Sequence, residues 1–303
     1  MQGLRGLLAG AIVSGTPLLY ATLAELVSER AGVVNLGLEG IMLVGAAVGF
    51  LTAVSTGSAT LAVAAAALAG ALFNMIFAFL VISRRANQLA SGLALMFCGV
   101  GLSALLGAPY TGSQIGGLGE IRIPGLADLP LLGPGLFAHD VLVYLAAPAA
   151  TVLWWVLFFT RWGLGLRAVG ENPLAAFAAG RDPYRLQYQA LVVAGILGGV
   201  AGAHLSVGVA KAWAEWMTAG RGFIAVALVI FSKWQPLRAI GGALLFGGAI
   251  SLQLQMQAAG VPISAFLLDT LPYLLSLAVL AVWGGTRRHA APGSLGRVFQ
   301  GTE

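Results

Sequence analysis

Residues 59–82 read Ala59-Thr60-Leu61-Ala62-Val63-Ala64-Ala65-Ala66-Ala67-Leu68-Ala69-Gly70-Ala71-Leu72-Phe73-Asn74-Met75-Ile76-Phe77-Ala78-Phe79-Leu80-Val81-Ile82, and the first charges beyond them are Arg84 and Arg85. A helix rises about 1.5 Å per residue, so roughly 20 apolar residues cross a hydrocarbon core of about 30 Å. This stretch is long enough and holds neither charge nor proline. A surface helix would show a polar face at the helical period. It reads as a membrane-crossing helix.

The pattern repeats outward. Comparable apolar stretches occupy 6–27, 37–55, 88–107, 139–160, 188–209, 239–257 and 265–284. A shorter one, 220–232, is bracketed by Gly220-Arg221-Gly222 and Lys233-Trp234-Gln235-Pro236, and reads as a broken, half-membrane helix. The first stretch is too long for a signal peptide and lacks a small-residue cleavage site, so it reads as a retained span. The expected fold is all-α, a polytopic transmembrane helical bundle of about 8–10 spans. It forms a single transmembrane domain over residues 1–303.

Composition agrees. Of 303 residues, 59% are hydrophobic and 9% charged, with a mean hydropathy of +0.91; a soluble domain carries about 25% charged residues. The 43 glycines sit among Ala, Leu and Val, where small residues let helices approach closely in lipid. The single cysteine, Cys98, can form neither an intrachain disulfide nor a metal site and reads as a packing residue. The net charge of +5 is scattered between apolar runs, which is a topogenic pattern and not a nucleic-acid patch.

Basic residues in short loops orient such a chain. With Arg5, Arg122, Lys211 and Arg221 outside, the other 12 of the 16 Lys+Arg fall inside, including Arg84, Arg85, Arg287 and Arg288. The C-terminus and a tail from 286 to 303 are then cytoplasmic, and the short N-terminus external. Residues 108–138, with Gly116-Gly117, Pro130 and Gly133-Pro134-Gly135, read as an external loop with a short helix. Span 6–27, the Gly-rich 32–40 stretch and span 59–82 resemble span 188–209, the 220–232 piece and span 239–257. The two sets run in opposite directions, which predicts an inverted repeat with broken helices meeting near the substrate.

The loop 161–187 carries a mechanical signal. Asn172 is a good N-cap, Pro173 suits the first helical position, and Gly180 is a natural C-terminal stop with Pro183 beyond. The resulting helix is about two turns long, too short to persist in water without a partner. Leu174, Phe177 and Ala178 share one face. Such a helix either lies against the bilayer and bundle or docks in a groove of another protein. Phe177 would be the apolar knob, with Arg167 and Glu171 as polar clasps.

This loop, Arg161-Trp162-Gly163-Leu164-Gly165-Leu166-Arg167-Ala168-Val169-Gly170-Glu171-Asn172-Pro173-Leu174-Ala175-Ala176-Phe177-Ala178-Ala179-Gly180, resembles the coupling helix of ABC importer permeases of the branched-chain amino acid/ribose type. Ser28-Glu29-Arg30-Ala31-Gly32-Val33-Val34-Asn35-Leu36-Gly37-Leu38-Glu39-Gly40 resembles the N-terminal signature of that family. Met217-Thr218-Ala219-Gly220-Arg221-Gly222-Phe223-Ile224-Ala225 and Asp269-Thr270-Leu271-Pro272-Tyr273-Leu274-Leu275 are most similar to its nucleoside-transporting branch. The family usually carries a small or polar residue where Trp234-Gln235 stands. The resemblance implies a permease subunit of the bacterial plasma (inner) membrane that moves a small neutral polar solute inward by alternating access. It also implies a second, homologous or identical permease subunit, a cytoplasmic ABC ATPase and an extracytoplasmic substrate-binding protein. ATP and Mg would sit on the partner ATPase. The coupling set would be Arg167, Glu171, Asn172, Pro173, Leu174, Phe177 and Gly180.

The residues themselves point the same way about the engine. A P-loop needs Lys followed by Ser or Thr, and Lys211 and Lys233 are followed by Ala and Trp. No Ser-His-Asp set, metal cluster or paired carboxylates can be assembled from the 3 His and scattered acids, so an enzyme reading has little support. The lack of Asp/Glu/His chains argues against a proton-coupled carrier. A pathway of Asn35, Glu39, Asn74, Asn87, Gln88, Ser91, Phe97, Phe223 and Gln253, with Gln255, Trp213 and Trp216 nearby, would suit a nucleoside: amides for hydroxyls, aromatic faces for a base. Glu39 reads equally well as paired with backbone or Arg30 near the inner surface. Trp213 and Trp216 read first as interfacial anchors, and His204 as a packed, hydrogen-bonded core residue. Simple sugars or branched-chain amino acids are alternative cargoes. A stand-alone carrier or channel is the alternative of another class.

Overall fold

The computed structural model describes residues 2–127, 133–260, 263–264, 267–268, 270–283 and 291–297. Its helices are α1 (Gln2–Arg30), α2 (Leu38–Thr56), α3 (Ala59–Ala78), α4 (Gln88–Gly107), α5 (Gly133–Phe137) and α6 (Val141–Phe159). They continue as α7 (Arg161–Glu171), α8 (Pro173–Ala178), α9 (Pro183–Ala203), α10 (Arg221–Ser232), α11 (Pro236–Ala258) and α12 (Leu271–Trp283). Single π-helical turns, Phe79–Ser83 and His204–Val209, prolong α3 and α9. Among the described residues, 7 helices are long and apolar enough to cross a membrane. The chain is a multi-pass membrane protein.

The expected spans map onto these helices, with one correction. The 12-residue α10 is about 18 Å long at 1.5 Å per residue, too short to cross a membrane comfortably, as its reading as a half-membrane helix expects. Of the expected span 265–284, residues 271–283 form α12, and 265, 266, 269 and 284 lie outside the described residues. Residues 161–171, read above as loop, are helical. Thr160 caps them by accepting the Gly163 N–H at 3.1 Å, and Gly163, Leu166, Val169 and Gly170 form a buried face. Three glycines had masked that helix. The 108–138 segment carries the expected short helix, α5, and a two-residue antiparallel pairing of 121–122 with 138–139. Arg287 and Arg288 lie outside the described residues.

The bundle is built twice, upside down. In the first unit α1 ends at Arg30, residues 31–37 break the helix, and α2 and α3 follow; in the second α9, residues 210–220, α10 and α11 do the same. α1 packs along α11 and α3 along α9, the equivalent pairs of two related units, while α1 and α9 pack on each other between them. Arg30 donates to the Trp234 carbonyl from both Nε (3.1 Å) and Nη2 (2.9 Å), so the end of α1 meets the end of α10 and not that of α9. The units therefore run in opposite directions, as an inverted repeat requires. Buried Leu18, Leu23, Leu26, Met42, Leu228 and Phe246 form the main core between them.

Helix contact in lipid rests on packing. Gly70 of α3 and Gly195 and Gly199 of α9 bring the two backbones together; a Cβ on Gly199 would collide with the Ala66 carbonyl oxygen. At the α6 entry, Asp140 caps the helix by accepting the Leu142 and Val143 N–H groups, and its Oδ2 lies 3.1 Å from His204 Nε2. His204 is fully buried, in line with its reading as a hydrogen-bonded core residue. Cys98 is exposed, which corrects its reading as a packing residue: α4 buries Leu95, Met96 and Gly99 and turns Cys98 outward. Gly199→Leu is expected to lower stability by about 1–3 kcal/mol or more through overpacking, read as a lower unfolding midpoint of the detergent-solubilised protein.

Candidate functional site at the junction of two half-helices

The chain leaves α1 through Gly32, whose φ is +85°, and does not resume helix until Leu38. Backbone groups freed inside a bundle must find partners. Here side chains supply them. The Asn35 N–H donates to Glu25 Oε1 (2.8 Å), the Val34 N–H to Gln88 Oε1 (2.8 Å), and the Gly37 N–H to Asn35 Oδ1 (2.9 Å). Asn35 Nδ2 donates to Asn74 Oδ1 (2.8 Å), and Asn74 Nδ2 to the Leu191 carbonyl (2.6 Å). Asn35, Asn74 and Gln88 thus brace the break.

Glu39 is paired with backbone, as one reading expected, but with that of the second break and not with Arg30. Its carboxylate is fully buried and accepts from Thr218 Oγ1 (2.5 Å), the Gly220 N–H (2.7 Å) and the Gly222 N–H (2.6 Å). Gly40 packs on Met96 and Gly99, roughly 12–17 Å into α4 by helical rise, about halfway through a 30 Å core. Glu39 is the second residue of α2 and Gly222 the second of α10. Equivalent positions of the two units therefore face each other, and the side chain of one fills the place the other leaves empty. The carboxylate lies at two helix N-termini, where negative charge is favoured. Arg221 lies here within the bundle, not outside, donating to the Met217 and Thr218 carbonyls. Trp216, Ala219 and Gly220 of this second break all have positive φ.

Beside the junction opens a cleft of about 520 Å³, lined by Trp216, Arg221, Phe223, Gln253 and Tyr273 among others. The Tyr273 hydroxyl donates to the Ala219 carbonyl at 2.9 Å. The residues expected to form one pathway are divided. Phe223 and Gln253 reach the cleft; Asn35, Glu39, Asn74 and Gln88 build the breaks beneath it; Ser91 is buried in α4; Asn87 caps α4 at an exposed end; Phe97 is exposed on the outer face of α4. Gln255 binds Ser251 within α11. Trp213 is no interfacial anchor: it is 5% exposed, wedged against Gly107, with its indole N–H 3.4 Å from Ser103 Oγ. Thr218, Gly220 and Tyr273 were missed as site residues, although their stretches carried the family resemblance.

At the end where α1 finishes, α7 and α8 form an elbow. Asn172 Oδ1 accepts the Ala175 N–H (3.1 Å), Pro173 opens α8, and Gly180 has a φ of +77°. Ala176 is buried against the bundle, whereas Leu174 and Phe177 are 53% and 47% exposed beside exposed Ala178. Arg167 points inward, donating to the Leu157 carbonyl (3.0 Å) over the Phe158 ring, and Glu171 accepts the Gly293 N–H (3.1 Å).

Glu39→Gln replaces an acceptor-only carboxylate with an amide that cannot accept all three bonds. Each buried donor left unsatisfied costs about 1–3 kcal/mol, so a lower thermal midpoint in detergent and a loss of solute uptake are expected together.

No solved structure matches the chain at a significant level. The family model described as branched-chain amino acid transport system / permease component matches residues 7–282. The chain is 39% identical, over 91% of each sequence, to TsgC13 of Haloferax volcanii, provisionally named a glucose ABC transporter permease protein. It is 37% identical, over 80% of each, to the guanosine ABC transporter permease protein NupQ of Bacillus subtilis. It is 36% identical, over 92% of each, to the nucleoside ABC transporter permease protein NupC of Lactococcus lactis. A split-helix, inverted-repeat bundle matched over nearly its whole length places this chain in the family of permease components of branched-chain amino acid transport systems.

Proposed function

We propose that the chain is the permease subunit of an ATP-binding-cassette importer and that its cargo is a nucleoside. The α8 surface carries the first half of this reading. A six-residue helix that exposes Leu174, Phe177 and Ala178 while burying Ala176 presents an apolar knob on a fixed base. Short apolar helices of that kind suit a groove on a partner. The partner in this reading is a cytoplasmic ATPase that binds ATP and Mg; this chain binds neither. The α7–α8 end, the 161–187 loop and the 286–303 tail then face the cytoplasm. The 108–138 loop faces outward, toward an extracytoplasmic binding protein, and a second permease subunit completes the pathway.

The cleft carries the second half. Trp216, Phe223 and Tyr273 offer aromatic faces to a base, and Gln253 offers an amide to ribose hydroxyls. Relatives named for guanosine and nucleoside transport support the same cargo. Glucose is the second reading, favoured by the 39% identical relative. In either case ATP-driven movement of α8 rocks the half-helices and exposes the cleft to one side and then the other.

Phe177→Asp is expected to insert normally and to lose ATP-driven uptake by tenfold or more, because a buried unpaired carboxylate disfavours docking by several kcal/mol; uptake of labelled solute by reconstituted vesicles with and without ATP checks it. Uptake of labelled nucleosides competed by excess glucose separates the two cargoes, and unimpaired nucleoside uptake is the expected result.

A further inference from the structure

The last turn of a helix leaves carbonyls without intrahelical partners. At the end of α7 those of Val169 and Gly170 are taken by a residue more than 120 positions away: Ser294 Oγ donates to Gly170 O (2.7 Å) and Val169 O (3.2 Å). The Ser294 N–H also donates to Gly170 O (2.9 Å), and the Gly293 N–H to Glu171 Oε2 (3.1 Å). The same short segment holds the first helix break. Its Gly296 N–H donates to Gly32 O (3.2 Å), and its Arg297 carbonyl accepts from Gln88 Nε2 (3.2 Å). Gln88 is the residue whose other amide atom holds Val34. Ser294 is 6% exposed, Leu295 packs against the main core, and a Cβ on Gly32 would meet Ser294 Oγ at 2.5 Å.

We propose that residues 291–297 are a strap that ties the α7–α8 elbow to the re-entrant 31–37 break, with Ser294 as its positioning residue. The proposal rests on α8 being the input of the transport cycle. Displacement of α8 pulls on the end of α7. The strap carries that displacement to Gly32 and Gln88, and so to the break that ends at Glu39. Because the strap caps one element and braces the other, its loss slackens the link without removing the partner-binding surface of α8.

The test uses the assembled transporter in proteoliposomes, comparing solute taken up per ATP hydrolysed. Ser294→Ala should keep ATP hydrolysis and lower uptake per ATP about fivefold, the equilibrium equivalent of one buried hydrogen bond. An unchanged ratio overturns the strap. Phe177→Asp separates the two readings: if it uncouples while Ser294→Ala does not, the strap alone fails; if neither uncouples, both fail. Uncoupling by Ser294→Ala alone supports the strap and moves the input elsewhere on α7. Should Ser294→Ala not be recovered from the membrane, amide exchange in the unmodified complex decides. Nucleotide-dependent protection changing together at 293–297 and 31–34 supports the strap, and any other pattern overturns it.

Discussion

Two helix N-termini brought face to face inside a bilayer repel, and each carries backbone N–H groups with no helical partner. The Glu39 carboxylate resolves both problems at once, accepting from Thr218, Gly220 and Gly222 while seated at the start of α2 and of α10. An ion buried in lipid without such partners is costly. Here the cost is offset by three short hydrogen bonds and two helix ends. The inverted repeat needs this joint, because each unit is split where the other meets it.

Around the joint, the first break is secured by α3, α4 and α9. Residues 31–37 lean on Asn74 and Gln88, and Gln187 donates to the Ala31 carbonyl (3.2 Å). The corner after α10 is held by α1: Arg30 grips the Trp234 carbonyl, and the Trp234 indole N–H bonds to Glu29 Oε2 (2.5 Å). Trp234, unusual for the family, thus has a definite place here. Lys233 and Trp234 both adopt positive φ, a conformation that bulky residues hold only when their surroundings demand it. The α1 terminus is therefore the meeting point of the first break, the α10–α11 corner and, through Phe158, the α7 elbow.

Much of this was legible in the sequence because lipid imposes length and polarity so strictly. Span 59–82 became Ala59–Ser83, and span 239–257 became Pro236–Ala258. The capped α8 was equally clear, since Asn172-Pro173 and Gly180 are local signals. Long-range contacts were not. Glu39 and Thr218 are 179 residues apart, and nothing near Glu39 names its partner. Trp213 was read by the interfacial habit of its residue type, but the Gly107 notch that receives it belongs to another helix. Helix α7 was hidden because Gly163, Gly165 and Gly170 lower helical propensity, and the tight approaches of Gly163 to Val156 and of Gly170 to Arg30 explain why larger residues would not serve at those two positions.

A joint of this kind acts as a fulcrum: the elements on either side move while the joint stays closed. The most direct test is cryo-electron microscopy of the assembled transporter with and without nucleotide, comparing the distances from the Glu39 carboxylate to the Gly220 and Gly222 nitrogens. The account predicts that these hydrogen bonds persist in both states while α8 and the walls of the cleft shift. Separation of Glu39 from Gly220 and Gly222 in either state would contradict it.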